Sequence, residues 1–132
     1  VSKLIESLSL YGKKAINGSK VLIIGMAYKR NVDDMRESPS LILTELLESH
    51  GSIVHYHDDY VPVIPSTREH ASLTGRKSIK LSKKKIEEYD VVLISTDHDC
   101  VDYELIAKSA KLVIDTRNAM SGIDGNAVIV KA

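Results

Sequence analysis

Apolar side chains at Val1, Leu4, Ile5, Leu8 and Tyr11 recur with the period of one helical face, and Asn17-Gly18 then supplies residues that tolerate positive φ. The spacing predicts an amphipathic helix followed by a stop. At Lys20-Val21-Leu22-Ile23-Ile24 the period vanishes into a nearly continuous aliphatic run, the pattern of a parallel strand covered on both faces. A long polar loop follows Gly25, until Ser38-Pro39 sets a capping hydroxyl before a proline suited to the first helical position. That second helix carries Leu41, Ile42, Leu46 and Leu47 and ends at Gly51. Further strands are predicted at Ile53 to His57, Val91 to Thr96, Leu112 to Asp115 and Ala127 to Val130. Between them lie a short Lys-rich helix around Ile86 and Tyr89 and another carrying Tyr103, Ile106 and Ala110. Residues 58 to 80, with Pro62, Pro65 and Gly75, show little periodicity and are expected to be the least ordered stretch.

Strands alternating with helices imply right-handed βαβ crossovers, and these place helices on both faces of a parallel sheet. The expected fold is therefore α/β: a doubly wound, Rossmann-like sheet preceded by an N-terminal helix. With 132 residues, 43% of them apolar, the chain can fill one core of ordinary size. Eighteen basic residues balance eighteen acidic ones, so no global field draws the chain to nucleic acid or an anionic membrane. Any ligand must then be held by local charge. The single Cys100 excludes an internal disulfide, and no apolar run approaches the roughly 20 residues of a membrane span. A soluble, cytoplasmic chain without a leader is expected. The start at Val1, in mid-pattern, suggests a segment of something longer.

In an open α/β sheet, ligands collect beyond the carboxyl ends of the strands, near the switch in strand order. The loop after the first strand, residues 25 to 39, packs three cations and three carboxylates there. It lacks the second and third glycines of a dinucleotide fingerprint, whose places are taken by Ala27 and Arg30, and it has no Walker lysine. Lys29 and Arg36 offer side-chain charge to phosphates or carboxylates, with the following helix N-terminus adding its dipole. The plainer alternative is that Arg36 and Asp34 pair to hold the loop.

The string Gly25-x-Ala27-Tyr28-Lys29-x-Asn31-x-x-Asp34-x-Arg36-Glu37-Ser38-Pro39 resembles the opening of the C-terminal domain of the UDP-glucose/GDP-mannose dehydrogenase family. Members oxidise a nucleotide sugar at C6 to a uronic acid with NAD. The resemblance covers nearly the whole chain. It implies that residues 1–16 are the end of the helix that joins the two halves and forms the dimer interface, and that residues 17–132 are the nucleotide-sugar-binding domain. It further implies that Tyr28, Lys29 and Arg117 bind the UDP-sugar, that Arg36 reaches toward NAD, and that no residue here is catalytic. NAD, held mainly by an absent N-terminal half, a homodimer, and a role in surface-polysaccharide synthesis are implied in the same way. Ser95-Thr96-Asp97-His98 and the Tyr28 form of the motif look more like the branch acting on UDP-N-acetyl-hexosamines than the one acting on UDP-glucose. The fragment is expected to bind without turning over.

Three other clusters invite a functional reading. His55, His57, Asp58 and Asp59, with His98, resemble metal ligands, but no third ligand is anchored by spacing, and the expectation is ordinary solvent-facing residues with no metal. Cys100 lies among acids, which raise a thiol's pKa, so it does not stand in for a nucleophile. Arg76, Lys77, Lys80 and Lys83 to Lys85 lack interleaved aromatics and read as a solvated surface. The competing function is a non-catalytic nucleotide-binding or dimerisation module.

Overall fold

The computed structural model describes residues 2–12, 15–35, 38–67 and 69–132. Five parallel strands form one sheet: β1 (Lys20–Ile24), β2 (Ile53–His57), β3 (Val91–Ile94), β4 (Leu112–Asp115) and β5 (Val128–Lys131). Their spatial order is β2-β1-β3-β4-β5. The register places Ile24 beside both His57 and Ile94, and Ile94 beside Asp115, so three neighbouring strand pairs end level with one another. The chain runs outward from β1 to β2, then crosses back to β3 on the other side. The switch in strand order therefore falls between β1 and β3, the place where such sheets leave a crevice at their carboxyl ends.

Among the described residues, four α-helices cover the sheet: α1 (Ser2–Ser7), α2 (Pro39–Ser49), α3 (Lys83–Glu87) and α4 (Tyr103–Ser109). Alternation along the strands divides the core. Val21, Ile23, Leu93 and Ile114 face Leu4, Leu8, Leu41 and Leu47 on one side. Leu22, Ile24, Val92 and Val113 face Ile86, Tyr89, Ile106 and Ala107 on the other. This is the doubly wound α/β, Rossmann-like architecture with an N-terminal helix.

The structure departs from the sequence pattern in informative places. After α1 the backbone widens into a π-helical turn, Leu8–Gly12, so the 3.6-residue register slips. Leu4 and Leu8 stay buried, whereas Tyr11 turns outward. On α2 the inward face is Ser40, Leu41, Thr44 and Leu47, and Ile42 and Leu46 are exposed. Ser40 spends its place on a hydroxyl pair with Ser95, 2.6 Å, which binds the helix to the turn after β3. β3 stops at Ile94 rather than Thr96, because the Ser95 and Thr96 amides both turn to the Ile24 carbonyl, at 2.9 and 3.1 Å. The stretch 58–80 doubles back on itself. Ile64 and Arg76, Gly75 and Ile64, and Ser78 and Pro62 are joined by backbone hydrogen bonds, and Val61, Ile64 and Leu73 are buried. No helix among the described residues is long and apolar enough to cross a membrane.

Candidate functional site

Three turns meet at the switch point, and each is shaped by a specific side chain. The turn after β1 begins at Gly25, whose φ is +91° and whose hydrogen stands where a Cβ would lie 2.4 Å from the Cβ and carbonyl oxygen of Thr96. The two turns are thereby stacked. Thr96 Oγ1 then donates to the Ala27 carbonyl at 2.6 Å. The turn after β4 is organised by buried Asp115, whose carboxylate accepts from the amides of Arg117, Ala119 and Met120 at 2.8–3.1 Å.

These turns enclose a hollow of about 390 Å³ lined by Tyr28, Lys29, Arg30, Thr96, Asp97 and Arg117. Tyr28, Lys29 and Arg117, the three residues singled out above for substrate, thus border one space. The Lys29 ammonium lies 5.7 Å from the centre of the Tyr28 ring, within cation–π range. Arg117 Nε donates to the Ser95 carbonyl at 2.9 Å, which fixes its stem and leaves the other guanidinium nitrogens for a ligand. Arg30 pairs with Asp97 at 2.7 Å, and that pairing pushes its pKa up, so it remains a cation. Three cations therefore face one carboxylate, a surplus of two positive charges among the lining groups. Arg117 also borders a second hollow of about 570 Å³ with Lys131. Arg36, assigned to the cofactor from the sequence, lies outside the described residues.

Sequence reasoning missed the centre of the arrangement. Asp58, at the end of β2, is fully buried rather than solvent-facing, as is His98, and His57 is nearly so. Asp58 Oδ2 accepts from the amides of Met26 and Ala27 at 2.7 and 2.9 Å and meets His98 Nε2 at 2.9 Å. The amides that a dinucleotide fold turns toward a pyrophosphate are here satisfied by the chain's own carboxylate. With one glycine in that turn and its amides engaged, the residues present do not fit NAD at this position. The signals were an Asp ending β2 and a His after β3, but a pattern of polar letters does not tell an inward carboxylate from an outward one.

The remaining clusters resolve into structural pairs. His57 Nδ1 lies 2.6 Å from the Ile79 carbonyl, and His55 Nδ1 lies 2.8 Å from the Tyr89 hydroxyl. Burial, then Lys85, Lys20 and Arg76, holds the His55 pKa below its usual value. Burial, then Asp59, pushes the Cys100 thiol up. A hollow of about 500 Å³ beside β2 contains Arg76, but both carboxylate oxygens of Glu48 already occupy its guanidinium, at 2.5 and 3.0 Å.

Comparison with known proteins gives this geometry a context. The model of the UDP-glucose/GDP-mannose dehydrogenase family, UDP binding domain, matches residues 22–122. A UDP-N-acetyl-D-mannosamine dehydrogenase of Pyrococcus horikoshii is 34% identical over 74% of this chain and 21% of its own length. A UDP-glucose 6-dehydrogenase of Rhizobium meliloti is 28% identical over 78% of this chain and 24% of its own. The solved structure of UDP-D-ManNAc dehydrogenase from Pyrococcus horikoshii superimposes with a TM-score of 0.73 at 27% identity, over 97% of this chain and 28% of that one. The chain thus spans about a quarter of the length of the relatives it matches.

Proposed function

Because the chain belongs to the UDP-glucose/GDP-mannose dehydrogenase family, as its C-terminal UDP-binding domain, we propose that it is the substrate-gripping part of an NAD-dependent nucleotide-sugar 6-dehydrogenase. One observation carries this reading: Tyr28, Lys29 and Arg117, drawn from the turns after β1 and β4, border a single hollow with a surplus of positive charge. A nucleoside diphosphate is a compact polyanion, and cations converging from separate strand tips bind it while fixing its orientation. The Tyr28 hydroxyl and the space shared with Lys131 serve the remainder of the ligand.

In this reading the chain's contribution to oxidation is positional. Binding energy from the diphosphate, remote from the reacting carbon, sets C6 of the sugar against the catalytic half. NAD supplies hydride acceptance and belongs to that other half, in keeping with the engagement of the Met26 and Ala27 amides by Asp58. Arg36, in the same loop, serves the cofactor, and the N-terminal segment, residues 1–16, belongs to the junction between the halves and to a homodimer interface. The substrate is a UDP-N-acetyl-hexosamine before UDP-glucose, a reading supported by the 34% identity to a relative named for UDP-N-acetyl-D-mannosamine against 26% to 30% for relatives named for UDP-glucose. The product, a UDP-uronic acid, would feed polysaccharide synthesis from the cytoplasm.

Isothermal titration of the chain with UDP tests the reading. Wild type is expected to release binding heat, and Lys29→Ala and Arg117→Ala each to weaken affinity about 10- to 100-fold, the loss of one charge-assisted contact. Heats unchanged in both variants would remove the diphosphate from this hollow.

A further inference from the structure

The residue that brings Lys29 and Arg30 to the hollow lies behind it. We infer that His98, seated on Asp58, is a positioning residue for the substrate loop: its ring holds the Asn31 amide and so sets the turn that presents the two cations. This inference rests on the reading that the hollow takes UDP.

The hydrogen bonds define the state of the ring. The Asn31 amide donates to His98 Nδ1 at 2.7 Å, so that nitrogen carries no hydrogen. Nε2 therefore carries it and donates to Asp58 Oδ2 at 2.9 Å. The two bonds thus fix the orientation and tautomer of the ring. Among the described residues, Asp58 accepts from Met26 N, Ala27 N, Tyr60 N and His98, and this one carboxylate registers the base of the β1 loop against the ring that grips its tip. The Tyr60 ring packs against the imidazole, 4.6 Å between centres, and Tyr103 Oη donates to the His98 carbonyl at 2.7 Å.

The tip needs such a hold. Asn31 has a φ of +60°, a left-handed conformation that reverses the chain directly after Lys29 and Arg30. Around it the two loops are laced residue to residue: Arg30 to Asp97 at 2.7 Å, Asn31 to His98, and the Asn31 side chain to Asp99 through two bonds at 2.8 and 2.9 Å. The Arg30 pair and the Asn31–Asp99 bonds are exposed, and water replaces such contacts at little loss. His98 is fully buried and its bond to the Asn31 amide is part-buried, so water competes for that bond less than for the exposed pairs. Besides the Tyr28 amide on the Asp34 carbonyl, at 2.7 Å, the His98 ring is therefore the least exposed of the side-chain ties on the loop's tip.

Two conservative variants separate positioning from general stability. His98→Asn places an amide oxygen where Nδ1 accepts from Asn31 and loses Asp58, whereas His98→Gln keeps a donor for Asp58 and withdraws the acceptor from Asn31. The Asn variant drops a buried bond to a carboxylate and the Gln variant a part-buried bond to an amide, so the melting temperature should fall at least as far in the Asn variant. UDP affinity is expected to stay within about threefold of wild type in the Asn variant and to weaken about tenfold in the Gln variant. Amide hydrogen exchange at Asn31 should accelerate by a similar factor in the Gln variant alone. Equal affinities in the two variants would overturn the inference. Should either variant fail to fold, nitrogen NMR of the wild-type ring decides: a hydrogen on Nε2 upholds it, and one on Nδ1 overturns it. Exchange and NMR read the loop without ligand. A chain in which they behave as expected but UDP gives no heat would refute the UDP reading and leave the fastening standing.

Discussion

Gly25 shows how much of the site rests on a missing side chain. The turn after β1 passes over Thr96 so closely that a Cβ would stand 2.4 Å from two of its atoms, at a φ of +91° that L residues avoid. Gly25→Ala is expected to destabilise the chain by roughly 3 kcal/mol, combining left-handed strain with overpacking against backbone. A urea midpoint equal to wild type would show that the two turns are free to part. Lys29 stood out because its loop directly follows an aliphatic run at the sheet's carboxyl edge, whereas Tyr28 and Arg117 were singled out by the family resemblance, and the fold adds that the three border one hollow. Asp58 and His98 were not legible. Their letters match those of solvent-facing loop residues, and only the folded backbone, which turns the Met26 and Ala27 amides inward, gives the buried carboxylate its partners.

At the scale of elements, the strands were readable because a strand covered on both faces must be apolar at every position. α2 was readable at its ends and not along its face. Ser38 accepts from the Ser40 amide at 3.3 Å and also donates to the Met26 carbonyl at 2.8 Å, so the residue that starts the helix also ties it to the turn after β1. Ser38→Ala should therefore lower stability by about 1–2 kcal/mol, toward the upper end for an N-cap because a buried carbonyl loses its donor. Denaturant unfolding measures this, and a loss under about 0.5 kcal/mol would mean that the cap contributes little here. The inward face defied the apolar pattern because Ser40 and Thr44 satisfy their hydroxyls locally, on Ser95 and on the Ser40 carbonyl, and so fit beneath the helix. In 58–80, buried Val61, Ile64 and Leu73 are separated by turns of no fixed period. Tyr56 Oη ties the segment down through the carbonyls of Val61 and Arg76, at 2.8 and 3.2 Å, a long-range contact that no local spacing announces. Tyr56→Phe is expected to cost about 1 kcal/mol and to speed amide exchange within 61–77 more than within the strands; uniform acceleration would contradict this role.

For the molecule as a whole, the two faces of the sheet impose a common limit on pH. Tyr56 lies in the core on the α2 side and Tyr89 in the core on the α3 side, and burial pushes both phenols up to about 12 from the usual 10.0. A folded-state pKa raised in this way leaves its full stabilisation below about pH 10. Above that, the unfolded chain sheds protons that the folded chain retains, so stability drains away as pH climbs from about 10 to about 12. On the acid side the sign reverses in cause but not in outcome. The His55 pKa is held below its ordinary 6.5, first by burial and then by Lys85, so beneath that pH the unfolded chain takes up a proton that the folded one refuses, and stability falls with pH. Because His55 and Tyr89 share one hydrogen bond across β2 and the end of α3, the two limits are linked at a single contact. Melting temperature should thus form a plateau bounded on both sides, with the ring NMR signals of Tyr56 and Tyr89 reporting ionisation together with unfolding rather than before it. Tyr89→Phe should flatten part of the alkaline decline, whereas His55→Gln should flatten the acid one alone. Ionisation of Tyr56 or Tyr89 near pH 10 in the intact fold, ahead of any loss of structure, would show that the core holding that ring admits water.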